Sequence, residues 1–226
     1  DIDPLFVDAD SSDYHLSDFS PVISAAASEV TIDGVTYTAP STDIEGNPRP
    51  NPVGTVPDMG AYENENGAGV YNGPVWYVDG TNDFPYANGA PGSPYFTITQ
   101  GISSASDGET VSVAAGTYVE NINFNGKNIA VIGEDRETTI IDGDSSGSVV
   151  MFGNGEDSSA LLNNFTIQNG SATNGGGIYC LNNASPTLKD LTVNGNGAKN
   201  SGAGLWFWFS NARLTDLIVS NNTVSS

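Results

Sequence analysis

Three carboxylates in alternating order, Asp8, Asp10 and Asp13, are the first side chains in the chain whose spacing suggests chemistry. Hard Ca²⁺ takes oxygen ligands offered this way. The loop lacks the glycine and the distal glutamate that complete an EF-hand, so calcium is the one cofactor these residues admit, and they require none. Asp190 and Asp216 form a second set, 26 residues apart. In a chain coiled with that period they would stack about 5 Å from each other, near the separation of the two carboxylates of a retaining glycosidase. The plainer reading is a solvent-facing column of strand-start residues on an acidic surface. Lys189, Lys199 and Arg213 stand isolated, and the sequence holds no activated nucleophile, zinc spacing or phosphate loop. Cys180 is the only cysteine and falls in a strand pattern, where a lone thiol serves as a small buried apolar group. Strand alternation puts Trp206 and Trp208 on one face and Leu205, Phe207 and Phe209 on the other. An outward Trp pair meets a protein surface, where aromatics are enriched, or stacks on sugar rings, and the interface is the preferred expectation.

What would position these side chains is a repeat. Leu162 to Asn169, Leu188 to Gly195 and Leu214 to Asn221 are three copies of one segment, the first leucine advancing by 26 residues each time. A period of that size marks a solenoid. Gly175 to Cys180 matches Gly202 to Phe207 at an offset of 27, and the extra residue is expected in a turn. Within each period short runs alternate with period two, such as Phe165 with Ile167 and Leu191 with Val193, between Asn, Gly and Ser. No helical stripe fills the gaps, so the coil is made of strands. Asn169, Asn194, Asn196, Asn221 and Asn222 recur near its corners. Stacked asparagines tolerate left-handed backbone and hydrogen-bond from coil to coil, which predicts a structural ladder.

Asn164-Phe165-Thr166-Ile167-Gln168-Asn169-Gly170 and Gly175-Gly176-Gly177-Ile178-Tyr179 resemble the coils of right-handed parallel β-helix proteins of the pectate-lyase-like superfamily with PbH1-type repeats, particularly secreted bacterial ones. Thr110 to Tyr118 is similar to the opening coil of that family. Ile98, Ile102 and Ala105 lie at i, i+4 and i+7, which predicts a short amphipathic helix over about 96–106. In the family such a helix plugs the N-terminal mouth. Asp3 to Asp8, Asp13 to Leu16, Asp43 to Pro50 and Asp58 to Glu63 resemble, in order, the family's C-terminal closing segment, and His15, the only histidine, belongs to that segment as a structural residue. An ending therefore stands before a beginning. The resemblance speaks for fold, since enzymes, adhesins and inert stalks share it.

The expected organisation is all-β: a loop-rich closing segment over 1–65, a linker over 66–75 rich in Gly and Asn, and over 76–226 the N-terminal part of a right-handed parallel β-helix with coils of about 26 residues. The segment from Leu214 leaves its coil unfinished at Ser226. An open β-helix end exposes apolar core and unpaired backbone. The expectation is that residues 1–63 of another copy cover it, through Leu5, Phe6, Val7, Tyr14 and Leu16 on one side and Trp206, Trp208, Leu217 and Val219 on the other.

With 27 acidic residues against six basic ones the net charge is −21. Such a surface repels phosphate backbones and anionic membranes, and no apolar run reaches the length of a membrane helix. Neither nucleic acid nor a membrane is an expected partner. Acidity, scarce lysine and the resemblance together point to an extracellular or cell-surface setting. The expected function is non-catalytic and structural: a head-to-tail β-solenoid subunit, or a tandem repeat, of a filament, stalk or adhesive rod. Its partners would be further copies of itself and, secondarily, surface glycans. The alternative is a carbohydrate-active or carbohydrate-binding β-helix of lyase or hydrolase type.

Overall fold

The computed structural model describes residues 4–17, 20, 22–51, 56–64, 71–81 and 87–225. Two compact units result, Asp1–Asn72 with Asp83–Pro94, and Gly73–Asn82 with Tyr95–Ser226. Half of the expected linker, 66–70, lies outside the described residues.

In the first unit β1 (Phe6–Asp8) and β2 (Asp13–Leu16) are antiparallel, joined by a single 3-10 turn over Ala9–Ser11. β3 (Glu29–Ile32) and β4 (Val35–Thr38) form a second hairpin. Asp33 and Gly34 between them have φ of 50° and 78°, the two positive values of a type I′ turn, whose twist matches that of the strands. Apolar core is scarce here, with Leu16, Val22 and Ile23 forming one buried cluster. Buried carboxylates supply the rest. Asp58 accepts from the backbone N–H of Ser24 and Asn64 at 2.6 and 2.7 Å. Glu63 accepts from the N–H of Asp58 and Asn51 at 3.1 and 3.0 Å and pairs with Arg49 Nε at 2.7 Å. Asp43 accepts from the N–H of Glu45, Asn47 and Glu63 and from Asn47 Nδ2. A charge is tolerated inside only when paired and hydrogen-bonded, and each of these carboxylates gathers several donors from separate loops. That requirement ties Asp43, Arg49, Asp58 and Glu63 together in an otherwise irregular segment.

The second unit contains β5 (Val75–Val78), α1 (Ile98–Ser104), β6 (Thr110–Val113), β7 (Gly116–Val119), β8 (Ile122–Asn123), β9 (Ala130–Gly133), β10 (Thr139–Asp142), β11 (Val150–Phe152), β12 (Leu161–Gln168), β13 (Ser171–Asn174), β14 (Ile178–Cys180), β15 (Thr187–Asn194), β16 (Gly197–Ser201), β17 (Leu205–Phe207), β18 (Arg213–Ser220) and β19 (Thr223–Val224). The strands stack in parallel in the orders β5-β6-β9-β12-β15-β18, β7-β10-β12, β8-β11-β14-β17 and β13-β16-β19. This is a parallel β-solenoid of about four turns with coils of about 26 residues and one helix.

The long strands bend in the middle. Asn164, Asp190 and Asp216 occupy one column at φ of 64°, 46° and 53°; Asn and Asp are the side chains that best accept this region. Leu161 to Asn163 thus pair with β9 while Thr166 to Gln168 pair with β10. Asp190 and Asp216 are therefore corner residues inside strands, not strand-start residues. The extra residue of the 27-residue offset also sits elsewhere than expected. Ala172 aligns with Ala198 but Asn174 with Ser201, so the slack is a bulge in β16 and not a turn. At Gly176 a Cβ would lie 2.1 Å from Gly197 O, which is why the triple glycine precedes β14.

Inside, Leu162 over Leu188, Phe165 over Leu191 and Ile167 over Val193 are all fully buried, and Phe124 packs on Phe152 at 4.2 Å. Helix α1 covers the first coils with Ile98 and Ile102, which are buried along with Ala105 just after it. Gly101 lets it seat, because a Cβ there would fall 2.6 Å from Val111 Cγ1. Both helix ends are held by charges from a neighbouring coil. The Glu120 carboxylate accepts from the N–H of Ile98 and Thr99 at 2.8 and 3.0 Å. Lys127 Nζ donates to the carbonyls of Ile102, Ser103 and Ala105 at 2.6, 2.8 and 2.7 Å. Each charge complements the adjacent pole of the helix dipole. Replacing Lys127 by Met keeps the stem and strands three carbonyls; the expected outcome in urea titration is a loss of about 2–3 kcal/mol of unfolding free energy, and an unchanged midpoint would refute the clamp.

Candidate functional site

The alternating carboxylates do not converge. Asp8 accepts from Ser11 N and Ser11 Oγ at 3.2 and 2.8 Å, capping the 3-10 turn, while Asp13 accepts from the N–H of His15 and faces its Nδ1. Asp10 lies in the turn itself and is exposed. Among the described residues no group of three His, Cys, Asp or Glu side chains is placed to hold a metal ion. His15 instead links three segments. Its Nδ1 meets Asp13, its Nε2 lies 3.3 Å from Glu45 Oε2, and its ring packs against Tyr62 at 4.0 Å, tilted by 35°.

The asparagines form two files. In the inner one, Asn196 Oδ1 accepts from Gly170 N at 2.8 Å, Asn196 Nδ2 donates to Asn222 Oδ1 at 2.9 Å, and Asn222 Nδ2 donates to Val193 O at 2.9 Å. In the outer one, Asn221 Nδ2 donates to Asn194 Oδ1 at 2.8 Å and Asn169 Nδ2 to Asp142 Oδ2 at 2.7 Å. Both files run between coils. They leave no side chain aimed at a ligand.

Trp206 and Trp208 share the outer face. Tyr179 stacks on Trp206 at 4.9 Å and 7°, Trp206 on Trp208 at 5.6 Å and 3°, and Phe209 meets Trp208 edge-on at 5.2 Å. Tyr179 and Trp206 stack from coil to coil, while Trp208 lies parallel to Trp206 within the same coil and stays 54% exposed. Beside these rings, Ser148, Met151, Asn174, Tyr179 and Lys199 line an open groove of about 580 Å³. Cys180 lies beneath, fully buried. Burial, with the charge of Glu156 nearby, pushes its thiol up to about 12.

The outermost coil differs from those below it. Leu214 and Val219 continue the columns of Leu188 and Val193 but are each 49% exposed, and Leu217, Leu205 and Phe207 are half-buried. Full burial of such a side chain gains about 1.5–3 kcal/mol; half-exposure forgoes on the order of 1 kcal/mol apiece. Among the described residues β18 has no neighbour on its outer side. Of the expected partner residues in the first unit, Phe6, Val7 and Tyr14 are exposed, with Phe6 edge-on to Tyr14 at 5.4 Å, and Leu5 is half-buried. Leu16 is packed against Val22 and Ile23 and is not available. Sequence reasoning missed β3 and β4, although Asp33-Gly34 flanked by alternating Val, Ile, Thr and Tyr is a strong hairpin signal. It also missed the carboxylate cluster, which no local pattern announces.

No protein-family model matches the chain, and no curated protein matches it.

The His15 hydrogen bonds to Asp13 and then Glu45 raise its pKa above the ordinary imidazole value, and the same bond lowers that of Asp13. A raised folded-state pKa means the contribution is complete below the unfolded value and is lost as pH rises through the folded one. As the only histidine, His15 gives a single ring signal; in NMR its titration midpoint should lie above that of a free histidine and drop in Asp13→Asn. A midpoint at or below the free value contradicts this geometry. Cys180 should resist thiol-specific reagents at pH 8 in the folded protein and react fully in denaturant; rapid labelling of the native chain would show the column is not closed.

Proposed function

We propose that the chain is a non-catalytic structural module of an extracellular assembly, in which copies join head to tail at the open face of the outermost coil. The observation that carries this reading is the contrast within single columns, Leu188 and Val193 fully buried beneath Leu214 and Val219 half exposed. An apolar edge of this kind is a template for strand pairing that proteins cover or use. The same junction serves separate subunits and successive repeats of one longer chain.

Charge supports a copy of the same chain as the cover. Residues 1–65 carry thirteen acidic side chains against Arg49 alone, whereas residues 187–226 carry Lys189, Lys199 and Arg213 against Asp190 and Asp216. In a chain of net charge −21, the open coil is a local exception. A contact between different patches of identical subunits does not close on itself and yields a filament. The carbohydrate alternative would rest on Trp208, which is 54% exposed, more than on Trp206, which packs parallel to Tyr179 and Trp208.

Sedimentation equilibrium of the 226-residue chain should show species growing with concentration, and Leu214→Glu with Val219→Glu should remain at 23.4 kDa. Electron microscopy of the wild type should show unbranched rods. A wild-type chain that stays monomeric up to hundreds of micromolar defeats the proposal.

A further inference from the structure

An asparagine followed by glycine carries its own covalent reactivity. Once the glycine nitrogen gives up its proton to hydroxide, it can attack the side-chain carbonyl carbon of the asparagine, and glycine has no side chain to obstruct the approach. The step occurs at 66–67, outside the described residues, and at 72–73, 88–89, 125–126, 154–155, 169–170, 174–175, 194–195 and 196–197. By sequence these are equivalent. The solenoid separates them. The N–H of Gly126 donates to Glu156 Oε1 at 2.9 Å and that of Gly170 to Asn196 Oδ1 at 2.8 Å. Those of Gly175, Gly195 and Gly197 donate to the carbonyls of Ser201, Ser220 and Gly170 at 3.1, 3.4 and 2.7 Å. Each of these bonds joins one coil to another. In the first unit Gly89 N donates to Ser93 O at 2.9 Å. A nitrogen held as a donor is harder to ionise and is turned away from its neighbour's side chain.

Among the described Asn-Gly steps, only Gly73 and Gly155 have an N–H with no partner. Gly73 is crowded, since a Cβ there would lie 3.1 Å from Glu109 Oε1 and 3.2 Å from Trp76 Nε1, whereas at Gly155 nothing beyond its chain neighbours lies within 4 Å. Asn154 and Gly155 are both exposed, in the loop between β11 and β12. The buried Glu156 carboxylate holds that loop by accepting from Asn154 N at 3.0 Å and from Gly126 N, and it leaves Gly155 N free.

We propose that Asn154 is a site of self-modification, deamidation through a cyclic imide. The bond from Gly155 N to Asn154 Cγ forms, the Cγ–Nδ2 bond breaks, and the side-chain nitrogen takes a proton from water and leaves as ammonia. Water then adds to either carbonyl of the imide and opens it, to aspartate or to isoaspartate. No oxidant, reductant or cofactor enters. The net change is an amide exchanged for a carboxylate. Where isoaspartate forms, the main chain also gains a methylene beside the turn that Glu156 holds.

The test keeps the full chain folded in mildly alkaline buffer, with a parallel sample in urea, and follows each asparagine by peptide mass spectrometry over days to weeks. In the folded sample Asn154 should convert at least about tenfold faster than Asn169, Asn174, Asn194 or Asn196, because their glycines must first be released by local opening, and a tenfold factor corresponds to only ~1.4 kcal/mol. In urea the rates should converge, since sequence alone then sets them. Conversion of Asn72 or of any of those four asparagines ahead of Asn154 in the folded chain overturns the assignment. So does an Asn154 that stays intact while the urea sample converts, or a ratio that is the same in both samples.

Discussion

In a stack of parallel strands each side chain has the equivalent residue of the next coil about 4.8 Å away, so a coil seats only if every column tolerates the neighbour placed on it. The columns here meet that condition in different ways. Leu162, Leu188 and Leu214 stack apolar on apolar, Asn164, Asp190 and Asp216 repeat a left-handed bend, and Gly170, Asn196 and Asn222 pass a hydrogen bond upward. Tyr179 and Trp206 do the same with ring faces. The backbone ladder imposes the spacing, and residue choice follows column by column.

The same constraint makes the two ends of the solenoid the expensive places, and the chain treats them unequally. At the first coils α1 lies across the core, and Glu120 and Lys127 satisfy its two poles. That cover is local, made of residues close in sequence, and folds with the coil it protects. At β18 the columns are as apolar as those beneath, yet half exposed. Columns of this kind stay half exposed wherever no further coil is stacked on them.

How much of this was legible depended on whether the determining interaction was periodic. The 26-residue spacing of Leu162, Leu188 and Leu214 fixed the coil and the register, because stacking writes itself into sequence as repetition. The i, i+4, i+7 pattern of Ile98, Ile102 and Ala105 likewise found α1. The first unit was harder. Its order comes from Asp43, Arg49, Asp58 and Glu63, whose partners are backbone amides of distant loops, and contacts of that sort leave no spacing rule. Asp190 and Asp216 misled for a related reason: periodicity located their column, but an Asp at a bend and an Asp on a flat strand have the same period. The aromatic cluster illustrates the limit most sharply, since alternation put Trp206 and Trp208 on one face without saying that they would lie parallel to each other and to Tyr179.

An exposed apolar edge is also a hazard, because backbone pairing has little selectivity and any unfolded chain can add to it. Charge supplies the selectivity that pairing lacks. A net charge of −21 keeps most pairs of surfaces apart, and long-range repulsion of this size discourages random encounter. In the head-to-tail assembly proposed above, the exception would be a contact between the stretch with thirteen acids and the coils holding Lys189, Lys199 and Arg213. There attraction would replace repulsion. Acidity and the apolar edge would then act together: the edge would supply an adhesive surface, and the charge distribution would disfavour most partners other than the acidic segment of another copy.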